Sequence, residues 1–249
     1  MDALPARDRR TLETQQLCAH TVGIWLLWPA ALAWLKVVRG YRIRDLAQVR
    51  RRFQKLLAET SGPVVLCCNH LTWIDSMLVQ WALVSSTTAA RSTRLFVWNL
   101  PEKTNFNKNV GLRTICYLGK CLPITRGGDR EQQRLVLDKV RHLLERRELV
   151  LAFPEGGRSR TGRFDADRVT YGVGRFVHDA PDCSVLCIYL RGDRQERMSV
   201  LPPRGETFSV DLCLVQPRSR SRGLRAHRDI ARQIVGTLSE MEHDYFARR

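Results

Sequence analysis

Apolar positions along the chain follow two rhythms. Short apolar or alternating blocks, bounded by Gly, Pro or polar clusters, read as strands over residues 64–68, 94–98, 121–125, 149–153, 184–190 and 207–215. In the last of these Phe208, Val210, Leu212 and Leu214 share one side. Elsewhere apolar residues recur every three or four positions, which predicts helices. Ile43, Leu46, Val49, Phe53 and Leu56 form one such series, which Ser61-Gly62-Pro63 stops. A second covers residues 75–83 with Asp75 near its N-cap, and a third covers 129–147 with Val136, Val140, Leu143 and Leu144 on one face. A short helix contains Phe176 and Val177, and an amphipathic helix carrying Ile230, Ile234, Leu238 and Tyr245 closes the chain. Strands alternating with helices specify an α/β fold: a single layered domain with a largely parallel central sheet flanked by helices. Active sites in such sheets lie beyond the carboxyl ends of the strands, which directs attention to the residues after Cys68, Thr125 and Phe153.

The first segment breaks this pattern. Between Leu17 and Leu35 the only ionisable side chains are Cys18 and His20, and Trp25, Trp28 and Trp34 lie among aliphatic residues. Nineteen helical residues would reach about 28 Å, close to the hydrocarbon thickness of a bilayer. Pro29 removes a helix hydrogen bond and biases Trp28 away from the α region, so the expectation is a kinked helical anchor lying in the membrane interface. Indole rings favour that depth, and the basic run Lys36, Arg39, Arg42, Arg44, Arg50, Arg51 and Arg52 suits an anionic leaflet on the cytoplasmic face. A cleavable leader ending near Ala31-Leu32-Ala33 and a buried core helix are the competing readings; Asp2, Asp8 and Glu13 argue against the leader.

Composition sharpens the question of partners. The 249 residues contain 41 Lys plus Arg against 25 Asp plus Glu, a net charge of +16, so the surface attracts polyanions such as anionic lipid or nucleic acid. The Arg-rich stretch from Arg218 to Arg232 comes with no nucleic-acid-binding motif, and is read as a solvated linker and helix in contact with lipid phosphates, leaving no nucleic-acid partner expected. Eight cysteines without a C-x-x-C pair or a suitably spaced His suggest buried thiols in a reducing compartment, with no metal site expected.

Chemistry concentrates at three turns. His70 and Asp75 stand five residues apart, about 140° around a helix, so only a strand-to-helix turn unites them. There Asp75 would fix the imidazole tautomer and leave the other ring nitrogen free to take a proton, as a general base does. Pro154-Glu155-Gly156-Gly157-Arg158-Ser159-Arg160 combines glycines that admit a close ligand with guanidinium forks suited to phosphate. Arg126-Gly127-Gly128-Asp129-Arg130 is a second basic, glycine-containing turn. No G-x-S-x-G elbow surrounds Ser159, which is therefore not read as a nucleophile.

His70 through Asp75 resembles the H-x4-D motif, and Phe153 through Ser159 the F-P-E-G-x-R-S motif, of the 1-acylglycerol-3-phosphate acyltransferases and their PlsC-like relatives. Ile124-Thr125-Arg126 is similar to the arginine-containing block between those motifs, and the likeness covers roughly residues 60 to 215. The resemblance implies transfer of a fatty acyl group from acyl-CoA or acyl carrier protein, a co-substrate thioester rather than a bound cofactor, to a lysophospholipid hydroxyl. It assigns His70 as the base and Asp75 as its partner. Arg126 would meet the acceptor's phosphate, Glu155, Gly156 and Gly157 would shape the acceptor site, and Arg158 would add positive charge there.

The match has departures. Gly157 stands where the family commonly has Thr, the strand from Val185 to Leu190 lacks the family's proline, and residues 99–109 fit poorly. The acceptor therefore stays open between 1-acylglycerol-3-phosphate, another lysolipid and an amphipathic alcohol. On this reading residues 1–58 form an N-terminal membrane-associating helical region, 59–216 the acyltransferase core, and 217–249 a basic linker with an amphipathic helix. A catalytically silent lipid-binding or scaffolding module on the same fold is the alternative.

Overall fold

The computed structural model describes residues 4–106, 109–125, 130–167 and 169–249. Six strands form one sheet in the order β1-β6-β5-β2-β4-β3: β1 (Arg42–Ile43), β2 (Val64–Cys68), β3 (Trp98–Asn99), β4 (Val150–Ala152), β5 (Ser184–Gly192) and β6 (Thr207–Val215). β5 and β6 pair antiparallel while every other neighbouring pair is parallel. β2 is buried at every position, as a central parallel strand must be with helices on both faces. Its alternation divides the core: Val64, Leu66 and Cys68 face one apolar cluster, Val65 and Cys67 the other.

Helices α1 (Ala6–Val38), α2 (Leu46–Ala58) and α3 (Asp75–Leu83) cover the first face. α4 (Val110–Leu118) crosses α1 at the edge of the sheet. Helices α5 (Arg130–Glu145), α6 (Gly172–His178) and α7 (Leu224–Ala247) cover the second face, with Ile230, Ile234, Leu238 and Tyr245 of α7 buried there.

Two expected strands change. Residues 94–98 contribute only Trp98 to β3, because the Gln80 side chain intercepts the backbone: its Oε1 accepts from Val97 N–H at 2.8 Å and its Nε2 donates to the Leu95 carbonyl at 3.3 Å. Residues 121–125 make isolated bridges, Asn99 with Cys121 and Glu102 with Ile124, in place of a strand.

The helix does not end at Pro29 either, and α1 continues through it for 33 residues, about 50 Å. Trp28 keeps helical angles, φ −68° and ψ −44°. Wide π-turns over Ala19–Leu27 and Trp34–Val38 flank the proline, and the Trp28 N–H reaches back five residues to the Gly23 carbonyl. The wider turn relieves the clash that a proline ring makes in a regular α-helix. Ile24, Trp28 and Leu35 of α1 belong to the core, yet only 28% of its most apolar stretch is buried, and the helix is long and apolar enough to cross a membrane. Gly23 permits the crossing with α4, since a Cβ there would lie 2.2 Å from the Leu118 carbonyl oxygen.

A buried polar knot ties α1 to the sheet. Glu148 accepts from Lys120 Nζ at 2.9 Å, Trp98 Nε1 at 3.1 Å and Gln16 Nε2 at 2.7 Å. Lys120 is fully buried; desolvation lowers its pKa and Glu148 pulls it back up. Removing one partner of such a pair leaves an uncompensated buried charge. Lys120→Met should therefore lower unfolding free energy by about 3–5 kcal/mol in denaturant titration, with part of the loss restored by adding Glu148→Gln.

Candidate active site

β2 ends at Cys68, and the next residue clasps the neighbouring strand. Asn69 donates from Nδ2 to the Leu190 carbonyl at 2.9 Å and accepts at Oδ1 from the Leu190 N–H at 2.8 Å. The chain then turns sharply, and His70 Nδ1 lies 2.8 Å from Asp75 Oδ2. The strand-to-helix turn thus brings the two residues together.

Asp75 does not cap α3; it is the first helical residue, and Ile74 occupies the N-cap without a side-chain cap bond. The carboxylate points backward because four donors hold it there. Oδ2 accepts from Leu71 N–H at 2.7 Å and Thr72 N–H at 2.8 Å as well as from His70, while Oδ1 accepts from Thr72 Oγ1 at 2.5 Å. These bonds compensate the burial of a carboxylate that is only 2% exposed. A carboxylate only accepts, so Nδ1 of His70 is the donor in this contact, and in the neutral ring the lone pair is on Nε2. The imidazole stacks on Phe153, 4.1 Å between centroids at 21°, and its side chain stays 20% exposed.

The loop after β4 supplies the opposite wall. Glu155, 3% exposed, accepts at Oε1 from His70 N–H at 2.9 Å and at Oε2 from Asp165 N–H at 3.2 Å. Both carboxylate oxygens thereby brace backbone. Burial pushes its carboxyl up to about 7, outweighing these two bonds. Ser159 N–H donates to the His70 carbonyl at 2.9 Å, so the loop grips residue 70 from both sides. Gly156 needs its glycine: φ is +67°, and a Cβ would come 2.2 Å from Thr170 Cγ2. Gly157 follows it, half-buried. Arg158 sits over the half-exposed Trp73, 5.4 Å from ring centroid to guanidinium, and near enough to Asp75 that the carboxylate raises its pKa against a larger lowering by burial. Arg126 lies outside the described residues.

Cys68 is no rival nucleophile. It is wholly buried, and burial, reinforced by Asp75 and Glu155, holds its thiol well above the usual range. The contributions of Thr72, Phe153 and Trp73 were not anticipated from sequence. For Thr72 a signal existed: Thr72-Trp73-Ile74-Asp75 has the [ST]-x-x-[DE] spacing, at which an acidic side chain can reach back to the N–H three residues earlier, as Asp75 does to Thr72 ahead of the helix. Phe153 opens the F-P-E-G motif at the end of its strand but was given no role of its own, and for Trp73 nothing in the local pattern distinguishes a wall of the site from an ordinary apolar residue. Among the described residues, His178, Asp179 and His227 form the one cluster with donor atoms close enough to share a metal ion, and Arg175 already pairs with Asp179 at 3.3 Å.

Residues 42–208 match the family model described as acyltransferase. Among solved structures, the 1-acyl-sn-glycerophosphate (LPA) acyltransferase PlsC from Thermotoga maritima is similar at 16% identity, over 95% of this chain and 99% of that chain, with a TM-score of 0.43. A search of curated proteins found no match.

The raised Glu155 carboxyl has a measurable sign. Its folded pKa exceeds the ordinary value of 4.5, so the folded state binds the extra proton and the group costs stability as pH rises from about 4.5 to 7, the cost persisting above that. Unfolding free energy of Glu155→Gln should lose this decline, as seen by comparing denaturation midpoints of the two proteins across that range.

Proposed function

Since this chain belongs to the acyltransferase family, we propose that it transfers a fatty acyl group from an acyl thioester to the hydroxyl of a lysophospholipid, foremost 1-acylglycerol-3-phosphate, at a membrane surface. The observation that carries the reading is the 2.8 Å contact between His70 Nδ1 and the buried Asp75 carboxylate, beside a partly open ring face and the glycine-arginine loop.

In this reading His70 Nε2 takes the proton of the acceptor hydroxyl as its oxygen attacks the thioester carbonyl. The resulting imidazolium is stabilised by Asp75. The tetrahedral adduct then collapses with cleavage of the C–S bond, and the imidazolium returns its proton to the leaving thiolate. No covalent enzyme intermediate is required. Positioned base catalysis supplies about 10²–10⁴ in rate, and holding thioester and alcohol together supplies much of the remainder. Arg158 contributes positive charge for the acceptor's phosphate, and the resemblance gives Arg126 the same task. Glu155, Gly156 and Gly157 set the shape of that wall. The thioester is acyl-CoA or acyl carrier protein, and no resident cofactor enters the scheme.

Membrane-surface action is supported by the distribution of exposed apolar groups. Leu17, Trp25, Leu26, Val37 and Val38 of α1 face outward, and Trp73, Val200 and Leu201 are exposed near His70. These two regions are joined: Arg39 Nη2 donates to the Pro202 carbonyl at 2.5 Å, Tyr41 Oη donates to the same oxygen at 2.7 Å, and Trp73 N–H donates to the Val200 carbonyl at 3.2 Å. A net charge of +16 favours an anionic cytoplasmic leaflet.

Thiol release from long-chain acyl-CoA, measured with a panel of lysolipid acceptors, tests the reading; no acceptor-dependent release would favour a silent lipid-binding module. His70→Ala should reduce kcat by about 10²–10⁴ while circular dichroism and vesicle binding stay unchanged. Asp75→Asn should also lose most of the rate, because the amide no longer fixes the Nδ1–H tautomer. Wild-type turnover in purified His70→Ala would remove the base from the mechanism.

A further inference from the structure

The C-terminal helix reaches the wall of the site. Glu242 of α7 accepts at Oε1 from Phe164 N–H at 3.0 Å and from Tyr189 Oη at 3.0 Å. Phe164 is the neighbour of Asp165, whose N–H holds Glu155, and Glu155 in turn holds the His70 N–H. A run of backbone contacts therefore links α7 to the catalytic turn.

Arg191 of β5 closes the same assembly from below. It is 5% exposed, donates from Nη1 to the Gly162 carbonyl at 2.5 Å and from Nη2 to the Gln195 carbonyl at 2.7 Å, and lies 3.8 Å from Glu242 Oε1. Phe246, one turn beyond Glu242, carries the guanidinium groups of Arg163 and Arg191 at 3.4 and 4.7 Å from its ring centroid. Gly162, at φ +72°, would put a Cβ 2.1 Å from the Glu196 carbonyl oxygen, so the arginine loop and the segment after β5 meet backbone to backbone. A buried charge with this many directed bonds fixes its partners in place or costs several kcal/mol when lost.

We infer that Glu242, seated beside Phe246 on α7, is a positioning residue for acyl transfer: it fixes the 158–165 loop against the acceptor side of the site and, through Glu155, the backbone of His70. The inference rests on the acyl-transfer reading given above, yet both residues lie beyond the 42–208 segment that matches the family. Glu242 touches no reacting atom, and the expected consequence of its loss is misplacement of the acceptor.

The test uses the full chain with Glu242→Ala, Glu242→Gln, Phe246→Ala and, as a control on the exposed side of α7, Glu240→Ala. For Glu242→Ala and Phe246→Ala the acceptor kcat/KM should fall about ten- to a hundredfold, carried mainly by acceptor KM, with donor KM within about twofold of wild type. Glu242→Gln should recover most of the loss, because the amide oxygen still accepts from Phe164 and Tyr189. Glu240→Ala should match wild type. A lowered melting temperature in Glu242→Ala with unchanged acceptor kcat/KM, or equal loss for donor and acceptor, would reduce Glu242 to a structural brace and overturn the inference. Amide hydrogen exchange supplies an arm that needs no substrate: exchange at His70 and Asp165 should quicken in Glu242→Ala relative to Glu240→Ala, and unchanged exchange also overturns it. An inactive wild type with quickened exchange would count against the acyl-transfer reading alone.

Discussion

A carboxylate placed almost out of reach of water needs donors, and the turn around Asp75 is organised by that requirement. Its four hydrogen bonds come from His70, Leu71 and Thr72, so the chain between β2 and α3 has little freedom in its path. The same demand orients the imidazole, because the fourth donor is a ring nitrogen. The Asn69 clasp on Leu190 fixes the start of this turn, and the first hydrogen-bonded turn of α3, from Leu78 N–H to the Ile74 carbonyl, fixes its end. The contact between His70 and Asp75 is consequently set by short-range geometry, whereas the opposing wall depends on residues far away in sequence.

That contrast explains what could be read from the amino acids. β2, β6 and α3 were legible to the residue, because a buried central strand, a half-buried antiparallel strand and an apolar helix each leave a periodic trace. His70 and Asp75 were legible as a pair, since only one kind of turn unites them. Periodicity failed where a side chain took over a backbone role. Gln80 occupies the Val97 N–H and dissolves most of an apolar strand, a long-range event that no window around residues 94–98 contains. Pro29 does not split the helix for a related reason: the rule assumes a regular α-helix, and the π-turns on both sides relieve the clash. Glu242 was invisible, because on the page of sequence it is one more charge on an amphipathic helix.

Charge is used in two different ways in this molecule. The cationic surplus lies on exposed arginines, where each contributes little to folding and much to attraction for a polyanionic surface. The buried pairs, Lys120 with Glu148 and Arg191 with Glu242, are spent on geometry: one seats the long N-terminal helix on the sheet, the other seats the arginine loop on the C-terminal helix. Both anchor a terminal helix to an edge of the core, so the two ends of the chain are held by directed bonds as well as by apolar contact.

Consecutive residues close the contact between His70 and Asp75, while the backbone of residue 70 is also gripped from the loop after β4. That loop is tied in turn to α7 through Glu242, so on the inference drawn above a shift of the C-terminal helix is felt at residue 70. A substitution near the far end of the chain thereby gains a route to this turn without touching it.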